Sequence, residues 1–347
     1  MSFSKNQQLV FRALEGGKRL SSKEVFEQID GAVSYATVKR LLNELLDQNY
    51  LTRSGKGKAT VYFLSQHFTI LYPLDLASYF SKEIDERKVI KGFNFKLLEE
   101  LLPSLKLFTE QETLYLKLLQ SEFEQKISGL DVNGYEKEME RLAIDLSWKS
   151  SQIEGNTYSL LETEQLLKEK KTAAGKTRDE ATMLLNHKEA IDYVVQEKDY
   201  FESLNIAKIE ELHSILVKEL PIDRNLRKRK VGITGTNYTP LDNEFQIRDA
   251  LELACEIINQ RTSSFDKALL SLALISYIQP FNDGNKRTAR ILSNAVLLQS
   301  GICPLSFRTV DSIDYKKAML VFYEQNNISV MKQIFIDQFE FAVKTYF

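Results

Sequence analysis

The sequence predicts a mostly α-helical protein. Only six of its 347 residues are proline, and few stretches alternate apolar and polar side chains as half-buried strands do. Apolar residues instead recur at helical spacing along most of the chain. The 43% hydrophobic content is enough to fill a sizeable core, and the length fits two or three domains. We therefore expect helical domains with little β-structure.

The first 66 residues are predicted to form three short helices followed by a β-hairpin. Each helix begins after a serine that can act as an N-cap, and Ser21 with Glu24 has the spacing of a capping box. The predicted helices cover 4–14, 25–29 and 35–49, with caps at Ser4, Ser21 and Ser34. The hairpin turns through Gly55 and Gly57. This order of elements resembles a winged helix-turn-helix domain.

In a winged helix-turn-helix domain the third helix is the recognition helix and the hairpin is the wing. Both carry cations here: Lys39 and Arg40 on the helix, and Arg53, Lys56 and Lys58 on the hairpin. Residues 1–65 contain ten Lys and Arg against six Asp and Glu, a charge of +4. Because the net charge of the whole chain is −2, the remaining residues carry −6. Residues 34–60 are therefore predicted to contact duplex DNA. Because +4 is modest, a protein-contact role is the alternative.

Residues 67–132 are predicted to form a helical linker region. Tyr72-Pro73-Leu74 is typical of a connecting segment, and two amphipathic helices are expected at 77–90 and 95–102, the second ended by Pro103. We expect this region to pack between the two ends of the chain.

One long helix is predicted over 135–153, within a segment that we bound at 133–156. Gly155 and Asn156 are typical stop residues. Glu154 stands at the C-terminal end, where the helix dipole opposes a carboxylate. It therefore favours a cationic partner, and the best unpaired cations of the chain are those of residues 286–290. The alternative is a solvated glutamate at a frayed helix end.

The remainder, 157–347, is predicted to be helical apart from one short hairpin. The expected helices are 160–168, 178–196, 206–220, 243–260, 266–278, 313–324 and 330–346, with a further helix after Asp283-Gly284. A basic run at 224–230 is interpreted as a solvated edge. The strand-like residues 231–238 turn at glycines, which predicts two short paired strands.

The stretch 278–290 concentrates the charged residues that favour a binding site. Asp283-Gly284 indicates a turn, and the helix that follows begins with Lys286, Arg287 and Arg290 in what is expected to be its first turn. Cations at a helix N-terminus are unfavourable unless an anion lies opposite. Free N–H groups, a glycine and convergent arginines together predict a phosphate site, and Asp283 could hold a divalent cation that bridges phosphates. A polar loop with surface charges is the alternative.

The same stretch resembles the signature of Fic-domain proteins, His-x-Phe-x-(Asp/Glu)-Gly-Asn-(Gly/Lys)-Arg-x-x-Arg. The matching residues are Phe281, Asp283, Gly284, Asn285, Lys286, Arg287 and Arg290, with Pro280 before them. Ser150, Glu154 and Gly155 also resemble the family's inhibitory motif, Ser/Thr-x-x-x-Glu-(Gly/Asn). The resemblance implies a Fic-type helical core over 157–347, with 133–156 as an inhibitory helix and 231–238 as a β-hairpin flap.

The resemblance also implies a reaction, the transfer of AMP from ATP to a Ser, Thr or Tyr hydroxyl of a protein target. Asp283 would hold Mg²⁺, and the flap would pair with the main chain of the target. In the family the glutamate pairs with the last arginine and occupies the place of the ATP γ-phosphate, so Glu154 would inhibit the site. The nucleotide-binding residues implied are Phe281, Gly284, Asn285, Lys286, Arg287 and Arg290.

Two residues depart from the family pattern. Gln279 stands where the histidine acts as general base, and a neutral amide accepts no proton near neutral pH, unlike imidazole with a pKa of about 6.5. Losing a general base costs on the order of 10²–10⁴ in rate. Lys286 stands where most AMP-transferring members have glycine, and it resembles the Doc toxins, which are kinases on this fold.

Three hypotheses remain at this stage. The first is an ATP-binding protein of the AMP-transferase family, inhibited by Glu154 and weakened by Gln279. The second is a DNA-binding regulator whose Fic domain senses a nucleotide or serves as a scaffold. The third is a Doc-type kinase.

The rest of the sequence excludes other classes of protein. Three scattered histidines give no His-based metal cluster, and no apolar run is long enough to span a membrane. The first residues do not resemble a signal peptide. Cys255 and Cys303 lie in apolar surroundings typical of a reducing compartment, so a cytoplasmic location is expected.

Overall fold

The computed structural model describes residues 3–347, and its N-terminal part has the predicted order of elements. The elements are α1 (Lys5–Leu14), α2 (Ser22–Gln28), α3 (Tyr35–Asp47), β1 (Leu51–Ser54) and β2 (Val61–Leu64). Ser4, Ser21 and Ser34 each accept a hydrogen bond from the backbone of the first turn that follows. The strands are antiparallel, with Leu51 opposite Leu64. The caps therefore fix where these helices begin, as their sequence predicts.

The connecting region differs from its prediction. It contains α4 (Phe68–Leu71), α5 (Leu76–Phe80) and α6 (Glu110–Ser128). The helix predicted over 77–90 is wrong, because beyond α5 the backbone is bonded elsewhere: Ile90 donates to the carbonyl oxygen of Glu324 at 2.8 Å. The helix predicted over 95–102 is present over residues 95–101, and its backbone forms a wide π-helical turn over Leu97–Leu101.

Helix α6 was not predicted from the sequence. Leu116, Leu119 and Phe123 are buried on one face, but Leu114 and Leu118 are 67% and 65% exposed. Apolar residues on both faces blur the helical period that identifies an amphipathic segment.

The C-terminal part consists of packed helices with no paired strands among its residues. They are α7 (Val132–Ile153), α8 (Leu160–Glu169), α9 (Arg178–Gln196), α10 (Ile206–Leu216), α11 (Glu244–Gln260), α12 (Ser264–Ile278), α13 (Asn285–Gln299), α14 (Ser312–Gln325) and α15 (Ser329–Tyr346). Residues 268–281 are buried without interruption, so α12 lies at the centre of this bundle. No described helix is long and apolar enough to cross a membrane.

The hairpin predicted over 231–238 is wrong. These residues form a loop that turns at Gly235, where φ is +88°, and β1 with β2 is the one paired sheet within residues 3–347. The loop bonds to distant segments instead: Thr239 donates its N–H to the carbonyl of Lys91 at 2.8 Å. Two glycines among eight residues also weaken any strand.

Candidate functional site

The turn between α12 and α13 is held in left-handed backbone conformations at both ends. Gln279 ends α12 with φ +52°, and Gly284 precedes α13 with φ +81°. A Cβ on Gly284 would lie 3.0 Å from Cε1 of His213. Glycine is therefore required at this position, both for its conformation and for the close approach of the imidazole.

The Asn285 side chain stabilises this turn. Its Oδ1 accepts the Phe281 N–H at 2.8 Å, and its Nδ2 donates to the Phe281 carbonyl at 2.8 Å and to Gln279 Oε1 at 3.1 Å. The resemblance implied that Asn285 contacts nucleotide, but in this structure its amide is engaged within the turn.

Gln279 is buried and hydrogen-bonded through both ends of its amide. Besides accepting from Asn285, it donates through Nε2 to the Ser276 carbonyl at 2.6 Å and lies 3.5 Å from the Tyr323 hydroxyl. The side chain lines a cavity, yet an amide has no basic nitrogen. It can orient a hydroxyl group there but cannot remove its proton.

Phe281 and His213 form a stack beneath the turn. Their ring centroids are 3.6 Å apart with an interplanar angle of 4°. His213 is fully buried, its Nδ1 lies 3.2 Å from Thr288 Oγ1, and burial lowers its pKa to about 4. Folding thus brings one histidine to the signature turn, but as a neutral packing group that does not line the cavity.

Arg227 is a residue of this site that the sequence analysis missed. It belongs to the basic run interpreted as a solvated edge, yet only 1% of it is exposed. Its Nε donates to the Gln279 carbonyl at 2.6 Å, and its backbone N–H donates to the Pro280 carbonyl at 2.9 Å. A cation at the C-terminal end of α12 suits the helix dipole and fixes the turn from outside. The neighbouring Leu226 is also buried, and this apolar residue within the basic run was the local indication that the run is not fully solvated.

Glu154, at the C-terminal end of α7, forms two ion pairs with α13. Its Oε1 lies 2.9 Å from Nη2 of Arg290, and its Oε2 lies 2.6 Å from Nζ of Lys286. The Arg290 pair is the one that the resemblance implied, and Lys286 belongs to the same stretch 286–290 whose cations were expected to pair with this carboxylate. Lys286 lies in the first turn of α13, but Arg290 lies in the second, so the expectation of three first-turn cations is wrong for Arg290.

Arg290 is fully buried and oriented by Ser150. Its Nε donates to Ser150 Oγ at 2.8 Å, its Nη2 donates to the Ser150 carbonyl at 2.9 Å, and its guanidinium carbon lies 5.1 Å from the centre of the Tyr315 ring. These contacts leave Arg290 little freedom to leave Glu154.

The electrostatics of Glu154 favour its ionised form. Burial, the largest single influence, raises its pKa, but attraction to Arg290 and Lys286 together with their hydrogen bonds outweighs burial and lowers the pKa to about 2. The carboxylate is therefore charged across the physiological range.

Arg287 has donors that no described residue satisfies. The side chain is 1% exposed, its Nη2 lies 3.7 Å from Asp283 Oδ2, and neither its Nε nor its Nη1 has a hydrogen-bond acceptor within residues 3–347. No side chain caps α13 either. Buried donors without acceptors are costly, and together with the N–H groups of a helix terminus they fit an anion such as phosphate.

Asp283 lies at the rim of the site. Its side chain is 68% exposed, and Oδ1 accepts the Gly284 N–H at 2.5 Å. Residues 3–347 contain no cluster of three or more metal-ligating side chains. One open carboxylate fits Mg²⁺, which proteins commonly hold through one or two carboxylates and the phosphates of a substrate.

These groups surround a cavity of about 440 Å³. The wall includes Glu154, Gln279, Asp283, Gly284, Asn285, Lys286 and Arg287, the loop residues 231–234, and Met319, Leu320 and Tyr323 of α14. Phe281 and Arg290 lie behind this wall. The volume is in the range of small-molecule sites.

The predicted DNA-contacting residues are exposed in the N-terminal part. On α3, Lys39 Nζ lies 4.7 Å above the Tyr35 ring, and Arg40 lies 3.5 Å from Glu44 Oε2. Lys56 and Lys58 project from the turn between β1 and β2.

Comparison with known proteins identifies two regions of the chain. The Fic/DOC family model matches residues 203–297, which contain the whole turn between α12 and α13. The chain carries a Fic domain over these residues. The penicillinase repressor model matches residues 3–69, so the chain also carries an added winged-helix module at its N-terminal part.

Similar proteins support this assignment. The chain is 32% identical over 176 residues to "Protein adenylyltransferase Fic" of Nematostella vectensis, covering 48% of this chain and 40% of that protein. It therefore spans less than half of the length of this curated relative. Two solved structures have the same fold. Fic-1 from C. elegans has a TM-score of 0.60 at 19% identity, and the match covers 68% of this chain and 72% of that chain. A Fic domain containing signaling protein from Bacteroides thetaiotaomicron has a TM-score of 0.53 at 22% identity, and the match covers 66% of this chain and 92% of that chain.

Proposed function

We propose that this Fic protein binds ATP with Mg²⁺ at the N-terminus of α13, in the manner of protein adenylyltransferases, and that Glu154 inhibits it. The observation that carries the proposal is the carboxylate of Glu154 held between Lys286 and Arg290, beside the unsatisfied donors of Arg287. The Glu154 carboxylate thus occupies part of a cationic site, and the Arg287 donors of the same site can bind a second anion. The names of the curated relatives support adenylyl transfer as the reaction type.

The terminal phosphate of ATP and the Glu154 carboxylate would compete for Arg290, because both are negatively charged. A terminal phosphate that reaches Arg290 must displace the Glu154 carboxylate, because both would accept from Nη2 of the same buried guanidinium. Lys286 and Arg287 are available to the phosphates once the carboxylate leaves. Asp283 would hold Mg²⁺, which would neutralise part of the phosphate charge.

The residues on the cavity wall can position ATP and an acceptor hydroxyl, but they are poorly suited to accept the hydroxyl proton. In adenylyl transfer the acceptor oxygen bonds to the α-phosphorus, pyrophosphate leaves, and the hydroxyl proton must be accepted. Gln279 has a carbonyl lone pair for the hydroxyl but no site for the proton. We therefore propose that the protein as it stands transfers AMP weakly or not at all.

Titration calorimetry with ATP and Mg²⁺ tests the proposal. We expect Glu154→Gly to bind ATP at least about tenfold more tightly than the wild type, because one charge-assisted competitor is removed. Glu140→Gly is a control for the substitution itself, since Glu140 lies on the same helix and pairs with Lys188 away from the cavity. Equal affinities for wild type and Glu154→Gly would contradict inhibition by Glu154, and no ATP binding by either would contradict the nucleotide site.

A second function, duplex DNA binding, is favoured by a separate observation. The winged-helix module presents exposed cations on α3 and on the turn of the wing, and the repressor family model matches this module. We propose that residues 34–60 contact the phosphates of duplex DNA.

A gel shift with duplex DNA at increasing salt tests the second function. The double variant Lys39→Glu, Arg40→Glu should abolish the shift, whereas Lys117→Glu, on exposed surface of α6, should leave it unchanged. A salt-dependent shift that survives the double variant would exclude α3 as the recognition helix.

A further inference from the structure

The segment that joins the winged-helix module to the Fic core attaches to one turn at the end of α14. We refer to residues 76–94 as the strap. The hydroxyl of Tyr79 donates to Glu324 Oε2 at 2.6 Å, Ile90 donates to the Glu324 carbonyl at 2.8 Å, and Gln325 donates to the Lys88 carbonyl. Four residues of α14 line the cavity, so the strap is fixed to an element of the site.

Arg87 is the residue through which the strap also reaches the loop 231–239. Its side chain is 3% exposed. Its Nη1 lies 3.3 Å from Oε1 of the buried Glu324, and its Nη2 donates to the Gly235 carbonyl at 2.6 Å. One planar guanidinium thus joins the strap, α14 and the loop, which a single ammonium group cannot reproduce.

The other strap contacts of this loop lie close by. Asn237 Nδ2 donates to Asp85 Oδ1 at 2.9 Å, and the Thr239 N–H donates to the Lys91 carbonyl. Beyond the strap, the Tyr238 hydroxyl donates to the Tyr277 carbonyl at 3.2 Å and anchors the end of the loop in the core. The part that lines the cavity, 231–234, lies before all of these anchors.

We propose that Arg87 is a positioning residue that fixes the loop 231–239 and thereby the part of the cavity wall that the loop forms. Arg87 does not line the cavity and therefore does not contact the phosphates. That this wall encloses bound ATP rests on the proposed function. The consequence is that the chain segment leaving the winged-helix module sets the position of one wall of the cavity.

Hydrogen exchange separates positioning from simple stabilisation. Arg87→Lys can keep the ion pair with Glu324 but cannot also reach the Gly235 carbonyl, whereas Arg87→Met loses both contacts. We expect the amides of Tyr238 and Thr239 to exchange about tenfold faster in Arg87→Lys, because a charge-assisted hydrogen bond that limits local opening is lost. The melting temperature of Arg87→Lys should stay close to that of the wild type.

The neighbouring Lys88→Met is the matched control, because the exposed Lys88 side chain makes none of these contacts and only its carbonyl is used. Wild-type exchange at Tyr238 and Thr239 in Arg87→Lys would overturn the proposal, and so would equally faster exchange in Lys88→Met. Should Arg87→Met fail to fold, Arg87→Lys alone decides.

A second measurement keeps this inference separate from the proposed function. ATP affinity is compared between Glu154→Gly and Glu154→Gly, Arg87→Lys, and we expect the same value. A loss of affinity in the second variant would place Arg87 on the phosphate side and overturn the assignment. Absence of ATP binding by Glu154→Gly would instead count against the nucleotide site, and the exchange rates would still decide whether Arg87 positions the loop.

Discussion

The carboxylate of Glu154 bridges Lys286 and Arg290, at 2.6 Å from Nζ and 2.9 Å from Nη2. The first cation lies at the rim, 26% exposed, and the second is fully buried. Glu154 thus connects the end of α7 to α13 through one partly exposed cation and one buried cation. Release of α7 from the site requires that both ion pairs break.

The free energy of unfolding should depend on pH through Glu154. Its folded pKa of about 2 lies below its ordinary value of 4.5, so the stabilisation is complete above pH 4.5 and is lost as the pH falls through 2. By linkage this amounts to about 3 kcal/mol at neutral pH. Urea unfolding of wild type and Glu154→Gln should give a difference that is constant down to pH 4.5 and shrinks below it. A difference that already shrinks between pH 7 and 5 would be inconsistent with this pair.

Ser150→Ala should loosen the same contact from the buried side. The variant removes the acceptor of Arg290 Nε and leaves a buried charged donor unsatisfied, at a cost of about 1–3 kcal/mol. Ser151→Ala is a matched control, because Ser151 is the next residue of α7, is equally buried, and its hydroxyl has no hydrogen-bond partner among the described residues. Urea unfolding should therefore show a clear loss for Ser150→Ala and little change for Ser151→Ala. Equal losses would mean that the bond to Arg290 contributes nothing.

The pattern of correct and wrong predictions follows the range of the interactions. Helix ends set by neighbouring residues were predictable, as at Ser34 and over the helix Arg178–Gln196, because a cap and its acceptor lie within one turn. The strap and the loop 231–239 were not, because Arg87 and Gly235 are 148 positions apart. Local periodicity reports which side chains are apolar, but it does not report which distant carbonyl satisfies a backbone or guanidinium donor.

The site shows the same limit. The anion-binding character of 283–290 could be predicted because helix polarity and charge are local properties. The simultaneous pairing of Glu154 with two cations, the stack of His213 on Phe281 and the burial of Arg227 required the fold, since each joins segments that are far apart in the sequence.

Gly284→Ala should damage the turn more than a comparable glycine substitution elsewhere. Both Gly284 and Gly301 have positive φ, but only at Gly284 would the new Cβ meet another group, His213 Cε1 at 3.0 Å. We expect Gly284→Ala to destabilise the protein by about 1–3 kcal/mol beyond the effect of Gly301→Ala. Thermal unfolding of both variants measures the difference, and ATP affinity in the Glu154→Gly background should fall only for Gly284→Ala. Equal melting temperatures would argue against steric contact with His213.

Gln279→His combined with Glu154→Gly should restore transfer of label from α-labelled ATP to protein. Histidine tolerates the left-handed backbone at this position, and the imidazole supplies the missing proton acceptor, worth on the order of 10²–10⁴ in rate. Gln279→His alone keeps the ion pairs of Glu154 and should label far more weakly, while Glu154→Gly alone should bind ATP without efficient transfer. Gel autoradiography of all three variants, with α-labelled and γ-labelled ATP in parallel, identifies the reaction. Label from the γ position only would indicate phosphorylation of the Doc type, and an inert double variant that still binds ATP would show that Lys286 or the loop 231–239 prevents the reaction.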